Sequence, residues 1–133
     1  MKLIAANEVE QERMEAFLKT TDQVDYESLI KEGYVVEIGD DIKGCFVLST
    51  VEEGVYWLKQ LYIAKEAAQN LPVLLETIIV FSKTKQAKKL YVHSHQPVVD
   101  ILLGALQFHP QKEALLVNKM NRKGGNWWAY EVS

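Results

Sequence analysis

The chain has 133 residues, of which 48% are hydrophobic and 25% charged, a balance typical of one folded domain. Its 18 acidic and 15 basic residues give a net charge of −3, which argues against nucleic-acid binding, and its longest apolar run, residues 71–81, is too short for a membrane span. The single cysteine, Cys45, excludes an internal disulfide and is typical of a reducing compartment. We therefore expect one domain over residues 1–133, located in the cytoplasm, with neither nucleic acid nor a membrane as a partner.

The first half of the chain predicts two helices and then three strands. Asn7 and Glu10 have the spacing of a capping box, so the first helix is expected to begin at Asn7. Its expected buried stripe consists of Met14, Phe17 and Leu18. A second helix is expected over residues 25–32. Segments rich in β-branched and aromatic residues follow, separated by glycine-containing turns, at residues 34–38, 42–51 and 55–63.

The hydrophobic pattern changes to a helical period after residue 63. Residues 72–86 are apolar on nearly all sides, and Pro72 suits the first turn of a helix, so a well-buried helix is expected there. Residues 88–94 again have the composition of a strand. A strand–helix–strand unit requires a parallel pair, because the crossover helix returns the chain to run in the same direction.

The last third of the chain predicts one helix and two strands. The helix covers residues 97–106. Its core-facing side is expected to consist of Val98, Ile101, Leu102 and Ala105. The strands are expected at residues 115–117 and 127–132, around a polar loop, residues 118–126, whose two glycines suit a hairpin. The fold class is therefore mixed α and β (α+β), a mostly antiparallel central sheet with one parallel β-α-β crossover and helices on both faces.

Three short motifs stand at corresponding places in this order of elements. They are Leu61-Tyr62-Ile63 followed by Glu66, Leu74-Leu75-Glu76, and Leu90-Tyr91-Val92. They resemble, in turn, the strand ending Leu-Tyr-Val-x-Pro-Glu, the Leu-Leu opening of the buried helix, and the next strand of the GNAT superfamily of N-acetyltransferases. Residues 96–108 resemble a worn form of that superfamily's Asn-x-x-Ala…Tyr-x-x-x-Gly-Phe segment. The resemblance covers the chain from Tyr34 to its end and implies a GNAT-like fold.

The resemblance also implies a function. Members of the superfamily transfer an acyl group directly from a thioester to an amine. Acetyl-CoA or another acyl-CoA is then the implied co-substrate, and a small-molecule or peptide amine the implied acceptor. The backbone of Leu61 and Ile63 would align the pantetheine arm. Backbone N–H groups would hold the pyrophosphate, because free amides at a helix N-terminus attract phosphate. The residues at those positions are Ala68, Gln69, Asn70 and Leu71.

The phosphate loop and the proton-transfer residues depart from the superfamily's pattern. Its Arg/Gln-x-x-Gly-x-Gly/Ala loop corresponds to residues 67–72, which contain no glycine, and its frequent general-acid tyrosine corresponds to Leu103. The nearest replacements for that acid are Tyr62, Tyr91 and His93. We rank His93 first because it ends the predicted parallel strand; a strand-end histidine without a role is the competing interpretation. No Asp or Glu occurs in residues 55–63, and Glu37 faces either a cleft or solvent.

Other groups of functional side chains have structural interpretations. The three histidines do not show the convergent ligand spacing of a zinc site, so no metal is expected. Cys45 is expected to be a small buried residue rather than a nucleophile. The lysines of residues 83–89 either contact the 3′-phosphate of CoA or form a solvated helix end. The rings of residues 127–130 are expected in the core, with an acceptor pocket or a homodimer contact as alternatives for one face.

The same departures support a second function from a different class. A glycine-free loop, Leu103 in the tyrosine position and a third strand without an acid favour a non-catalytic GNAT-fold module that binds a partner or small ligand. The enzyme interpretation is favoured by the superfamily's use of backbone contacts, which do not require particular side chains.

Overall fold

The computed structural model describes residues 1–111 and 125–132. Its strands are β1 Lys2–Ala5, β2 Gly33–Ile38, β3 Asp41–Glu52, β4 Val55–Ile63, β5 Lys89–Ser94, β6 His109–Gln111 and β7 Asn126–Glu131. Its α-helices are α1 Gln11–Leu18, α2 Tyr26–Glu32, α3 Leu71–Thr84 and α4 Pro97–Ala105. Two 3₁₀ helices cover Ala6–Glu8 and Lys65–Asn70. No helix within the described residues is long and apolar enough to cross a membrane.

The described strands form one sheet in the order β1-β2-β3-β4-β5-β7-β6. The pairs β1–β2, β2–β3, β5–β7 and β6–β7 are antiparallel, whereas β4 and β5 run parallel. This arrangement confirms the predicted mixed α and β class and its β-α-β crossover. The turns that precede β3 and β4 contain Gly39 (φ 67°) and Gly54 (φ 77°), where glycine supplies a left-handed backbone without steric penalty.

The described chain divides into two compact units. The first holds residues 1–48 and 59–71, and the second holds residues 49–58 together with the described residues from Pro72 onward. The core of the first unit is built by α1, α2, β2 and β3. Its buried side chains include Met14, Phe17, Leu29, Val35 and Val47, with Leu18 packed at the margin. The predicted stripe of α1 is therefore confirmed.

The second unit has an aromatic core of its own. Trp57, Tyr91, Trp127 and Ala129 form its buried cluster, and the Trp57 and Trp127 rings lie 5.6 Å apart in a tilted arrangement. On the alternate positions of β7, Tyr130 packs on Phe108, with ring centroids 5.2 Å apart. Aromatic side chains thus pack on both sides of β7. The burial of Trp127 and Ala129 confirms that one face of residues 127–130 joins the core, while the acceptor pocket and the dimer contact stay predictions for the other face.

The predicted start of the first helix at Asn7 is wrong. Residues 2–5 form β1, a 3₁₀ helix follows, and α1 begins only at Gln11, with Glu10 as N-cap and no side-chain cap. The strand exists because Leu3 and Ile4 pair with β2 more than 30 residues later in the chain, at Val36 and Val35. Four residues contain too little periodicity to indicate such a long-range pairing.

The predicted core-facing side of α4 is wrong. Val98 and Ile101 are each 74% exposed, whereas Leu103 is fully buried. The face is set by Asp100, whose carboxylate accepts hydrogen bonds from Trp128 Nε1 at 2.7 Å and Asn126 Nδ2 at 3.0 Å. Nearly every other residue of α4 is apolar, so periodicity alone could not select the side that packs.

Helix α3 is less enclosed than predicted. It buries a stripe of Leu74, Leu75, Ile78, Ile79 and Ser82. On its other side, Val73 and Val80 are 53% and 61% exposed. An apolar helix with one solvent-facing side therefore replaces the expected helix buried all round.

The end of the chain only partly overlaps the prediction. The predicted strand at residues 115–117 and loop residues 118–124 lie outside the described residues. The prediction missed β6, which contains Pro110 and stands last in the strand order. Proline is accommodated there because an edge strand does not need every backbone donor.

We expect Gly44→Ala to destabilise the protein strongly, because a Cβ at this position would lie 2.5 Å from the backbone oxygen of Tyr62. Backbone cannot move aside as a side chain can, so the free energy of unfolding should fall by about 3 kcal/mol. Urea denaturation measures this change. Gly39→Ala is the control: it meets open space at φ 67° and should lose only about 1 kcal/mol. Equal losses in the two variants would contradict the proposed clash.

Candidate functional site

The end of β4 departs from regular strand geometry. Its parallel ladder with β5 comprises the pairs from Val55–Lys89 to Leu58–Val92, while β4 itself continues to Ile63. Gln60, two residues past the ladder, has φ 53°, which is uncommon for a residue other than glycine. A left-handed residue inside a strand is typical of a bulge and redirects the residues that follow. Leu61 and Ile63, the predicted pantetheine contacts, come directly after it.

Residues of β3 hold this part of β4 closely. The Lys43 carbonyl accepts a hydrogen bond from the Ala64 N–H at 2.7 Å, and Gly44 lies against the Tyr62 carbonyl. Cys45 Sγ lies 3.9 Å from the Gln60 carbonyl oxygen, which it can reach as a thiol donor. Three consecutive residues of one strand thus contact the irregular end of the next.

Cys45 is buried, as predicted, and acts as a thiol. Burial raises its pKa to about 12, because the thiolate would lose its hydration inside the core. The protonated sulfur can donate to the Gln60 carbonyl but is not a nucleophile near neutral pH.

The predicted phosphate-binding segment is helical. Residues 65–70 form a 3₁₀ helix that continues directly into α3, and the N–H groups of Ala67 and Leu71 donate to the carbonyls of Ala64 and Ala68. A 3₁₀ helix pairs each N–H with the carbonyl three residues earlier, so its amides have internal partners. The phosphate contacts predicted for Ala68, Gln69, Asn70 and Leu71 stay predictions, and for Leu71 the donor is already engaged.

An ion pair links the start of this 3₁₀ helix to β3. Lys43 Nζ lies 3.3 Å from Glu66 Oε1. The pKa of Glu66 is lowered, first by a hydrogen bond from its own backbone N–H and then by Lys43. Because the Glu66 carboxylate is exposed, solvent screens its attraction to Lys43. The ion pair therefore orients the two side chains and adds little to the free energy of unfolding.

His93 lies in the second unit, within a group of rings. Its ring centroid is 4.4 Å from that of His95, edge to face, and 4.6 Å from that of Trp127. Gly125 makes this packing feasible, since a Cβ there would lie 2.8 Å from His95 Nδ1 and 2.9 Å from His93 Cε1. His93 is half-buried and His95 exposed. In residues 1–111 and 125–132 no three metal-ligating side chains converge.

Other candidate residues have structural partners. Glu37 is half-buried, and its carboxylate accepts a hydrogen bond from Arg13 Nη2 at 2.9 Å. Lys89 pairs with Glu131 at 3.4 Å. Leu103, at the superfamily's tyrosine position, is fully buried and has no proton to donate.

Sequence reasoning missed two features of the first unit. One is the left-handed Gln60, because glutamine carries no preference for that conformation and nothing in the sequence indicates it. The other is an open groove of about 360 Å³ beside α1 and the β2–β3 turn, lined in part by Arg13, Phe17, Asp40 and Lys43. It combines cations with carboxylates, and its lining comes from segments far apart in the sequence.

Comparison with known proteins identifies the fold. No protein-family model matches the sequence, and no curated protein matches it. Among solved structures, the chain is similar to a GNAT-family acetyltransferase from Staphylococcus aureus Mu50, with 14% identity over 99% of both chains and a TM-score of 0.73. It is similar to the Campylobacter jejuni N-acetyltransferase PseH, with 15% identity over 99% of this chain and 98% of that one and a TM-score of 0.74.

A third structure is a Bacillus subtilis acetyltransferase in complex with CoA, with 12% identity over 98% of this chain and 97% of that one and a TM-score of 0.70. The agreement in backbone over whole chains shows that this protein has the GNAT fold. The resemblance inferred from three short motifs is therefore confirmed as a fold.

We expect the stability of the protein to fall with pH above about 9 in a way that depends on Cys45. The pKa of the thiol is about 12 in the folded protein against 9.0 for an unperturbed thiol, so between these values the unfolded chain binds fewer protons. The free energy of unfolding therefore falls by up to about 1.4 kcal/mol per pH unit in this range, and this loss is absent below pH 8. Urea denaturation of wild type and Cys45→Ala at pH 7 to 10 measures it. Parallel profiles for the two proteins would contradict the assignment, because all other titrations are common to both.

Proposed function

We propose that this protein is an N-acyltransferase that moves an acetyl or other acyl group from acyl-CoA to the amine of a small molecule or peptide. The observation that carries the proposal is the likeness to GNAT acetyltransferase structures over 97% to 99% of both chains. One of those structures holds CoA. This coverage matters here, because the similarity extends over nearly the whole of both chains rather than over one shared segment.

The proposed reaction is a direct transfer. The neutral amine attacks the thioester carbonyl carbon, an oxyanion forms, and the C–S bond breaks as the amide forms. The amine loses a proton and the CoA sulfur takes one up. Backbone N–H groups can stabilise the oxyanion without any particular side chain. Acyl transfer is therefore compatible with a chain that lacks the superfamily's usual acid and base at their motif positions.

The end of β4 supports this proposal. Leu61 and Ile63 lie beyond the four paired positions of the β4–β5 ladder, and an extended ligand can add to a strand along the edge that its neighbouring strand does not pair. A pantetheine arm carries two amides and can pair with such a strand. We propose that the backbone of these two residues aligns the arm and the thioester.

The phosphate segment supports the second candidate. If Ala68, Gln69, Asn70 and Leu71 hold the pyrophosphate, at least the Leu71 N–H must leave or share its bond to Ala68. Breaking this hydrogen bond of the 3₁₀ helix costs free energy, which weakens binding of the pyrophosphate. A non-catalytic module with the same fold does not require that change, and this observation favours it.

Binding of CoA separates the two candidates. We expect calorimetric titration with acetyl-CoA and with free CoA to give a Kd below roughly 100 μM, which corresponds to about −5.5 kcal/mol. Transfer is then assayed with a panel of amines by release of free CoA thiol. If millimolar ligand produces neither heat nor a thermal shift, the enzyme proposal is overturned and the binding module remains.

We also propose His93 as the proton donor to the CoA sulfur. His93→Gln should lower kcat about 100-fold, the usual contribution of a general acid, while the Kd for acetyl-CoA stays unchanged. His95→Gln is the matched control, since it removes the neighbouring imidazole. Stopped-flow or steady-state transfer rates measure both. Equal rates for wild type and His93→Gln would show that water or another group supplies the proton.

A further inference from the structure

Gln60 is a left-handed residue for which the local chain offers no reason. Among the described residues, Gln86 (φ 61°) and Gln107 (φ 76°) share this conformation, but each follows a helix. There the bonds Ala87 N–H to Ser82 O and Phe108 N–H to Leu103 O form the usual left-handed helix ending. Gln60 ends no helix. A non-glycine residue in this region costs about 1–2 kcal/mol and persists only when its surroundings hold it.

The side chain of Gln60 supplies part of that hold. Its Oε1 accepts a hydrogen bond from the Asp25 N–H at 2.7 Å. Asp25 is the N-cap residue of α2, and its own carboxylate is occupied by the Ser28 hydroxyl at 2.7 Å. The Gln60 amide therefore links the start of α2 to the irregular end of β4 across 35 residues of sequence.

The main chain of Gln60 is contacted by residues of β3. Its carbonyl oxygen faces the thiol of Cys45, and two residues later the Tyr62 carbonyl lies against Gly44. Contacts on the side chain and on the main chain thus fix one residue whose φ determines where β4 points next.

We propose that Gln60 is a positioning residue, whose hydrogen bond to Asp25 sets the path of the Leu61–Ile63 backbone for the thioester. The inference rests on the proposed function, which gives that backbone its role. Gln60 does not touch the reacting atoms. It acts through the main chain, and an error of about 1 Å in such an alignment lowers a rate about 100-fold.

Four variants test this role. Gln60→Ala removes the acceptor, and Gln60→Glu keeps an acceptor oxygen at the same reach. Gln60→Gly removes the acceptor but also removes the backbone strain at this position, because glycine adopts positive φ freely. Gln86→Ala is the matched control, with the same residue change at the same kind of φ but at a helix end.

We expect kcat of Gln60→Ala and Gln60→Gly to fall about 100-fold, with a much smaller change in KM for acetyl-CoA. Gln60→Glu should recover most of kcat, and Gln86→Ala should equal wild type. Gln60→Gly should be at least as stable as Gln60→Ala, so low activity in it cannot be attributed to unfolding. Wild-type kcat in Gln60→Gly would overturn the proposal, since the left-handed backbone alone would then suffice.

Amide hydrogen exchange gives a readout that does not require activity. The Asp25 N–H and the amides of residues 61–63 should exchange faster in Gln60→Ala and Gln60→Gly than in wild type and Gln60→Glu. Unchanged exchange at Asp25 would overturn the link itself. A wild type that binds no CoA and transfers no acyl group overturns the proposed function, and the positioning role with it. If wild type transfers acyl groups and the Gln60 variants have the same kcat as wild type, the positioning role alone is overturned.

Discussion

The close approach of β3 to the end of β4 is the constraint on which the first unit depends. Gly44 has no side chain, and the Tyr62 carbonyl occupies the space where a Cβ would stand. The Lys43 carbonyl and the Cys45 thiol then reach Ala64 and Gln60 on either side. This contact fixes the position at which β4 ends and the 3₁₀ helix begins, so the backbone proposed to align the thioester inherits its geometry from a steric requirement in the neighbouring strand.

In the second unit, orientation is decided by polar groups within apolar surroundings. α4 is apolar on most of its circumference, and burial alone would stabilise several rotations about its axis to a similar degree. The two hydrogen bonds that Asp100 accepts from β7 select one of them. They leave Val98 and Ile101 exposed and place Leu103 in the core. The two charge-assisted hydrogen bonds thus select one orientation among several that burial alone does not distinguish.

The proposed acyl transfer and the proposed phosphate contacts make different demands on this chain. Backbone-mediated transfer needs an aligned strand end and tolerates changes of side chain, which is consistent with a GNAT fold at 12% to 15% sequence identity. Phosphate binding needs free amides, and here a 3₁₀ helix uses them internally. Acyl-CoA affinity is therefore the quantity on which the choice between an enzyme and a binding module depends, because both candidates share the rest of the structure.

The sequence by itself determined the local elements and their class. β2, β3 and β4 follow from β-branched segments bounded by glycine turns, and the parallel crossover follows from the strand–helix–strand order, since these signals are contained within short stretches of chain. Tertiary structure decided what depends on distant residues. β1 forms through pairing with β2, α4 is rotated by Asp100, and Gln60 is held left-handed by Asp25 and Cys45. Each of these features is stabilised by a partner at least 15 positions away, and no local propensity encodes such a partner.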